Sequence, residues 1–380
     1  MEKIRFRQNS FSEYVRRLTM LIALISIWII FWVLTQGIFI SPRNLSNLFL
    51  QTSSVAIIAI GMTLIIITRN IDLSVGSVAA LAGAIAAFMQ VQCHMSTPAA
   101  LSAALIVGLA IGAWHGFWIA YRMVPAFIVT LASMMIFRGL VLGVTQGATI
   151  APLSDSFKVI GQGYADPKIS LIIGVVVVIL FVVSSFFKRE KRKKYGFSVP
   201  KIWFDLIKVV FIAGAILGFF AIMVMNRGVP YAVLLMLALT IFFNFMSRNT
   251  VFGRQLYAIG GNPDAAALSG VNIKKRVMML YVIFGALTAV SGVVMTSRLN
   301  AATTSAGQGM ELDVIAASVI GGTSLMGGEG TIFGAVIGAL IMASLDNGMS
   351  LLDTNITYQY IIKGMILLFA VWVDIATRRK

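Results

Sequence analysis

Runs of about 18 or more uncharged, mostly apolar residues recur along this chain. Nothing else in it narrows the possible folds as far. A bilayer core offers no water to backbone N–H and C=O groups, so a crossing segment must pair them within a helix or a closed barrel. Barrel strands alternate in polarity over ~10 residues, and these runs do not alternate. The expected fold is all-α, a polytopic helical membrane protein. Composition fits: 59% of the 380 residues are hydrophobic and 12% are charged.

Hydropathy predicts about 12 spans, at 18–40, 52–68, 73–92, 99–120, 126–146, 169–187, 206–225, 229–247, 277–297, 312–326, 331–345 and 358–376. The net charge of +16 invites a nucleic-acid reading. Topology explains the charge better, because roughly 23 of the 30 Lys and Arg fall on one side of these spans, as cytoplasmic loops require. No nucleic-acid partner is therefore expected. The run Lys188–Lys194 marks a basic cytoplasmic linker, 188–205. Arg16 and Arg17 precede the first span, and Arg378, Arg379 and Lys380 follow the last, so both termini are expected in the cytoplasm. Were 312–326 only to dip into the membrane, that final trio would land outside. The basic start is followed by no small-residue cleavage site, so it reads as a first span rather than a removed signal peptide. The single Cys93 permits no intrachain disulfide and no zinc set.

Several spans are shorter than the ~20 residues that cross a bilayer upright. Short apolar pieces interrupted by Gly, Asn or Asp are the mark of broken transporter helices around a solute pathway. One interruption joins two runs at Asn70, Asp72, Ser74 and Gly76; another is expected at 41–47, outside the membrane. Gly108, Gly112 and Gly116, and Gly334 and Gly338, recur at a spacing that suits close helix packing.

Enzyme chemistry has no foothold. No phosphate-binding G-x-x-x-x-G-K-[ST] loop occurs, and His94 and His115 form no ligand set. The chain is expected to bind no cofactor and no metal. Asp72 either caps the following helix or serves a pathway, or does both. His115 is either a hydrogen-bonded packing residue or part of that pathway. Trp114 and Phe127 are of the type that would face a sugar, and the candidate pathway set is Asn70, Asp72, Ser74, Trp114, His115 and Phe127. Glu311 and Asp313 favour the positive end of a helix starting there, and Asp346 and Asn347 are expected to end the following run. No span carries an Asp/Glu series, which argues against a proton-driven pump.

The polar segment 254–270 lies between two apolar runs inside a basic loop, 248–276. Its small residues suit a docking surface for another protein. The candidate coupling residues are Arg254, Gly261, Asn262, Pro263, Asp264, Ala265, Ala266, Ala267 and Gly270.

The pieces Asn44–Leu48, Gly61–Leu64, Ile71–Ser77, Pro125–Leu131, Arg138–Leu140, Phe252–Gly270 and Gly321–Gly328, in this order, resemble the membrane permeases of bacterial ABC sugar importers. That ribose, xylose and galactose group is related to branched-chain amino acid permeases. The resemblance implies one ABC importer transmembrane domain over 1–380, in the bacterial inner membrane. It also implies a homodimer, a cytoplasmic ATPase with two nucleotide sites that holds the ATP and Mg, and a periplasmic sugar-binding protein. Gly261–Gly270 would be the coupling helix seated in the ATPase. Most members carry one span between the helix after Pro125 and the coupling loop, and this chain carries three. That layout is similar to the xylose-type permeases and makes a pentose such as D-xylose the expected cargo. His115-Gly116 stands where relatives often have Asn-Gly. The binding protein is expected to dock on 41–48, 147–168 and 298–311. Rival readings are a branched-chain amino acid or nucleoside permease, and an ion-coupled secondary transporter.

Overall fold

The computed structural model describes residues 19–197, 199 and 201–378. Arg16, Arg17, Arg379 and Lys380 lie outside the described residues. The described chain is helical almost throughout. Its elements are α1 (Thr19–Leu34), α2 (Pro42–Ile67), α3 (Val75–Val91), α4 (Thr97–Gly116), α5 (Ala126–Thr145), α6 (Asp155–Gln162), α7 (Pro167–Lys194), α8 (Ile202–Asn226), α9 (Tyr231–Asn249), α10 (Val251–Gly261), α11 (Pro263–Leu268), α12 (Ile273–Leu299), α13 (Met310–Ile320), α14 (Ile332–Leu351) and α15 (Ile356–Arg378). A π-helical turn, Phe117–Tyr121, continues α4.

Eight described helices are long and apolar enough to cross a bilayer, with three shorter apolar ones at Thr19–Leu34, Val75–Val91 and Ile356–Trp372. The passage expected at 312–326 is different in kind. α13 has 11 residues, roughly 16 Å against a hydrocarbon core of about 30 Å. Loops complete the passage. On one side Ala302 pairs with Ile150; on the other the Gly328 N–H donates to the Ile67 carbonyl at the opposite end of α2.

Three expectations need correcting. The break at 41–47 does not exist, because α2 starts at Pro42 and runs 26 residues. Ser41 caps it and Pro42 fills its first turn, where the missing N–H costs nothing. Its first polar residues are satisfied by burial against α14: Asn44 Nδ2 donates to Asn347 Oδ1 at 2.8 Å, and Asn347 Nδ2 returns a bond of 3.2 Å. Asp346 and Asn347 accordingly sit inside α14 rather than at its end. The linker also shrinks, since Lys188–Lys194 are the last turns of α7. Cations at that C-terminus complement the helix dipole.

α2 is the axis of the bundle, buried at nearly every position from Thr52 to Ile67, with α8, α9, α12, α13 and α14 around it. α4 and α12 pack through glycines. A Cβ on Gly112 would strike the Tyr281 carbonyl, and one on Gly285 would strike that of Gly108. The expected packing role of Gly108, Gly112 and Gly116 is thus met against one partner, α12. Gly285→Val is expected to lower the thermal midpoint of the purified chain, because overpacking of this kind costs about 1–3 kcal/mol. An unchanged midpoint would mean that the α4–α12 contact is looser than described.

Candidate functional site

α2 ends in a Schellman motif. The Arg69 N–H donates to the Ile66 carbonyl at 2.8 Å and the Asn70 N–H to that of Ile65 at 3.2 Å. The residue in the left-handed position of such a cap is usually glycine. Here it is Arg69, at φ +64, a conformation that costs a side-chain-bearing residue of order 1–2 kcal/mol. The side chain explains the choice. Nε donates to the Gly260 carbonyl at 2.7 Å and Nη2 to that of Gly261 at 2.8 Å. The motif leaves the Ile67 carbonyl free, and Gly328 fills it at 2.9 Å. Tyr257 adds a bond from its hydroxyl to the Gly330 carbonyl at 2.9 Å. Three interruptions of helix, at 68–74, 260–262 and 321–331, are therefore locked together.

Beyond this joint lies Asp72, buried. Its Oδ1 accepts from the Ser74 N–H at 2.8 Å and from the Ser74 hydroxyl at 2.6 Å. The carboxylate thus fixes the residue that caps α3 instead of reaching the first-turn N–H groups itself. Its Oδ2 lies 3.5 Å from Nδ1 of buried His115. The His115 ring stands edge-on to Tyr281, centroids 6.0 Å apart. Among the described residues, His115 Nε2 and the Tyr281 hydroxyl have no hydrogen-bond partner. Buried polar atoms are normally paired, so both hold uncommitted hydrogen-bonding capacity beside Asp72.

The six pathway candidates do not converge. Asp72, Ser74 and His115 are buried together. Asn70 turns back onto Thr68. Trp114 and Phe127 are half-exposed, Trp114 stacking edge-on with Trp118.

The segment 262–270, an elbow between α10 and α12, follows the joint directly. Asn262 caps α11 by accepting from the Ala265 N–H at 3.0 Å, with Pro263 and Asp264 in the first turn. A second Schellman motif closes it: Val271 N–H to the Ala266 carbonyl and Gly270 N–H to that of Ala267, with Gly270 at φ +81. Gly261, Asn262, Asp264, Ala265, Ala267 and Gly270 are exposed. Ala266 is buried, so it faces the body of the protein. Leu268, which the sequence did not single out, is 91% exposed. Arg254 is exposed on α10.

A second polar cluster was invisible along any one span. Lys363 of α15 lies 3.0 Å from Asp313 of α13 and 2.9 Å from Asp346 of α14. Arg138 of α5 donates to the carbonyls of Thr304 and Ala306. Together they hold the start of α13.

Comparison with known proteins follows this geometry. Residues 44–371 match the family described as the branched-chain amino acid transport system permease component. The chain belongs to that family. The permease is 47% identical over 363 residues to the xylose transport system permease protein XylH of Haemophilus influenzae, covering 95% of this chain and 96% of that protein. Identity to the protein of the same name in Escherichia coli K12 is 46%, over 95% and 92% of the two chains. The ribose import permease protein RbsC of that strain is 37% identical over 336 residues, 88% of this chain and 87% of its own. No solved structure matches. The permease is a multi-pass membrane protein.

Arg69→Ala leaves the carbonyls of Gly260 and Gly261 without their charged donor and frees the joint from the elbow. Hydrogen–deuterium exchange is the direct reading. Amides at 68–70 and 260–262 are expected to exchange at least about tenfold faster, the effect of about 1.4 kcal/mol or more of lost protection. Amides in the middle of α12 should be unchanged. Equal protection in the variant would show that the two Arg69 bonds, the clasp between these segments, do not hold them together.

Proposed function

We propose that the permease imports D-xylose as the membrane subunit of an ATP-driven system in the bacterial inner membrane. The observation that carries this reading is identity of 46–47% to two xylose transport system permeases along nearly the whole of all three chains. On this reading two copies form the pathway. A periplasmic binding protein delivers the sugar, and a cytoplasmic ATPase with two nucleotide sites holds the ATP and Mg. The basic face, with 248–276 and the end of α7, is cytoplasmic, as are both termini.

The mechanism is alternating access with no chemistry on the sugar. The ATPase moves α11, the clasp carries that motion to the 68–74 joint, and the position of α3 relative to α4 changes with it. Asp72, His115 and Tyr281 sit at the moving boundary. Differential affinity of the partners for the two arrangements supplies the bias. Docking of the binding protein falls to exposed parts of the opposite face. Of 41–48, Asn44, Leu45, Ser46 and Leu48 are buried, and Ala302 and Ala306 of 298–311 are buried too. The stretch 147–168 contains α6, exposed at Asp155, Ser156 and Val159, and is the best of the three.

The exposed face of α11 is the contact to test. Leu268→Asp places a charge on an apolar anchor, and hot-spot losses of this kind reach about 2 kcal/mol or more. Co-purification of the partner ATPase and uptake of labelled xylose are both expected to fall at least about tenfold. Uptake that survives Leu268→Asp would remove α11 from the coupling contact. Uptake that collapses with an uncoupler while ATP stays high would overturn ATP drive altogether.

A further inference from the structure

Among the described residues, the α7–α8 hairpin is buried against the rest of the protein at one end only. The buried residues of α7 are Ser170 and Gly174, near its start. Those of α8 are Phe220 and Met223, near its end. At the other end the two helices open into a cleft of about 530 Å³. Phe181 and Leu206 give it apolar walls, while Lys188, Lys191 and Lys208 stand around it. The one acidic lining residue, Asp205, is taken by Arg189 in an ion pair. The lining therefore keeps a positive excess. Trp203 and Phe204 stand exposed at the start of α8, the aromatic signature of the membrane–water interface.

We propose that this cleft binds the headgroup of an anionic phospholipid. The positive-face rule alone accounts for cations near a membrane, but not for their gathering around an apolar-walled cleft between two helices. That arrangement matches an amphiphile. The phosphate meets the Lys groups, and an acyl chain follows the walls towards Phe181. Lys208 reaches the phosphate level by extending its stem along the apolar surface, as lysines near helix ends do. A second copy of the same cleft would be repelled by the shared positive charge. A phosphate diester is attracted by it, and among the described residues the hairpin buries none of its side chains against the bundle at this end. Basic pockets between membrane helices recognise lipid phosphates by this combination.

The test uses the full-length chain purified in detergent and titrated with dioleoyl phosphatidylglycerol, read by native mass spectrometry. Dioleoyl phosphatidylcholine and inorganic phosphate serve as comparison probes. Phosphatidylglycerol is expected to bind at least about tenfold more tightly than phosphatidylcholine, and millimolar inorganic phosphate should not displace it. Lys191→Gln with Lys208→Gln should weaken it at least about fivefold, and Lys191→Arg with Lys208→Arg should retain it. Lys274→Gln with Lys275→Gln, the same charge change on the same face outside the cleft, should also retain it. Equal binding of the two lipids overturns the proposal. So does equal loss in both glutamine pairs, which would mark a general charge effect. Displacement by inorganic phosphate would make the cleft a bare anion site. A dimer mass abolished by the Lys191 and Lys208 changes would make it an interface between copies.

Discussion

A carbonyl at the end of a helix inside a membrane has no water to turn to, and leaving it unpaired costs several kcal/mol. This permease breaks its helices repeatedly, so the breaks have to be placed where they can serve one another. The end of α2 shows how. Its cap consumes the carbonyls of Ile65 and Ile66 internally, and Gly328 supplies the donor for Ile67. Arg69, thrown outward by the same cap, supplies donors for Gly260 and Gly261 at the end of α10. The buried carbonyls of Ile67 and Gly260 are each paired by a neighbouring break. That mutual supply lets α13 be only 11 residues long, because the loop after it is held at Ile67 and needs no further helix to reach the basic face.

The apolar runs were legible because the bilayer imposes length and polarity on every crossing segment. The joint at Asn70–Gly76 was legible for the converse reason: polar residues and glycine there have no place in an unbroken span. What was not legible turned on direction. Ser41-Pro42 reads equally as a break and as a helix start, and burial of Asn44 on Asn347 decides for the start. Three consecutive alanines do not say which one faces inward, and Ala266 does. Lys363 lies within an otherwise apolar run, and its carboxylate partners are contributed by two other elements. Arg69 was hidden most thoroughly. A left-handed cap is read from glycine, and here the cap position carries a side chain that the elbow requires.

The polar contacts around α13 are best understood as specifying position. A buried ion pair adds little net stability, since desolvation cancels most of the attraction, yet losing one partner is costly. Lys363 facing both Asp313 and Asp346 therefore fixes α15 against the start of α13 and against α14. Arg138 fixes the preceding loop by two carbonyl bonds. With Gly328 anchored at the other end, the half-helix is gripped at both ends and cannot drift. A short rigid element held this way can move only with its neighbours.

The relative strengths of these contacts say where a switch must act. Arg69 makes two short bonds from a charged donor, each worth about 1.5–3 kcal/mol. Breaking both would consume most of the roughly 5.5 kcal/mol needed to drive a two-state element from one population extreme to the other. The clasp is thus better suited to carry motion than to be undone by it. The contact between Asp72 and His115 is weaker, at 3.5 Å, longer than a good N–H···O bond. His115 Nε2 and the Tyr281 hydroxyl beside it have nothing to lose by moving. On the proposed mechanism, a pull delivered through Arg69 would reach the α2–α3 joint intact, and the first contact it would meet that yields cheaply is the one between that joint and α4.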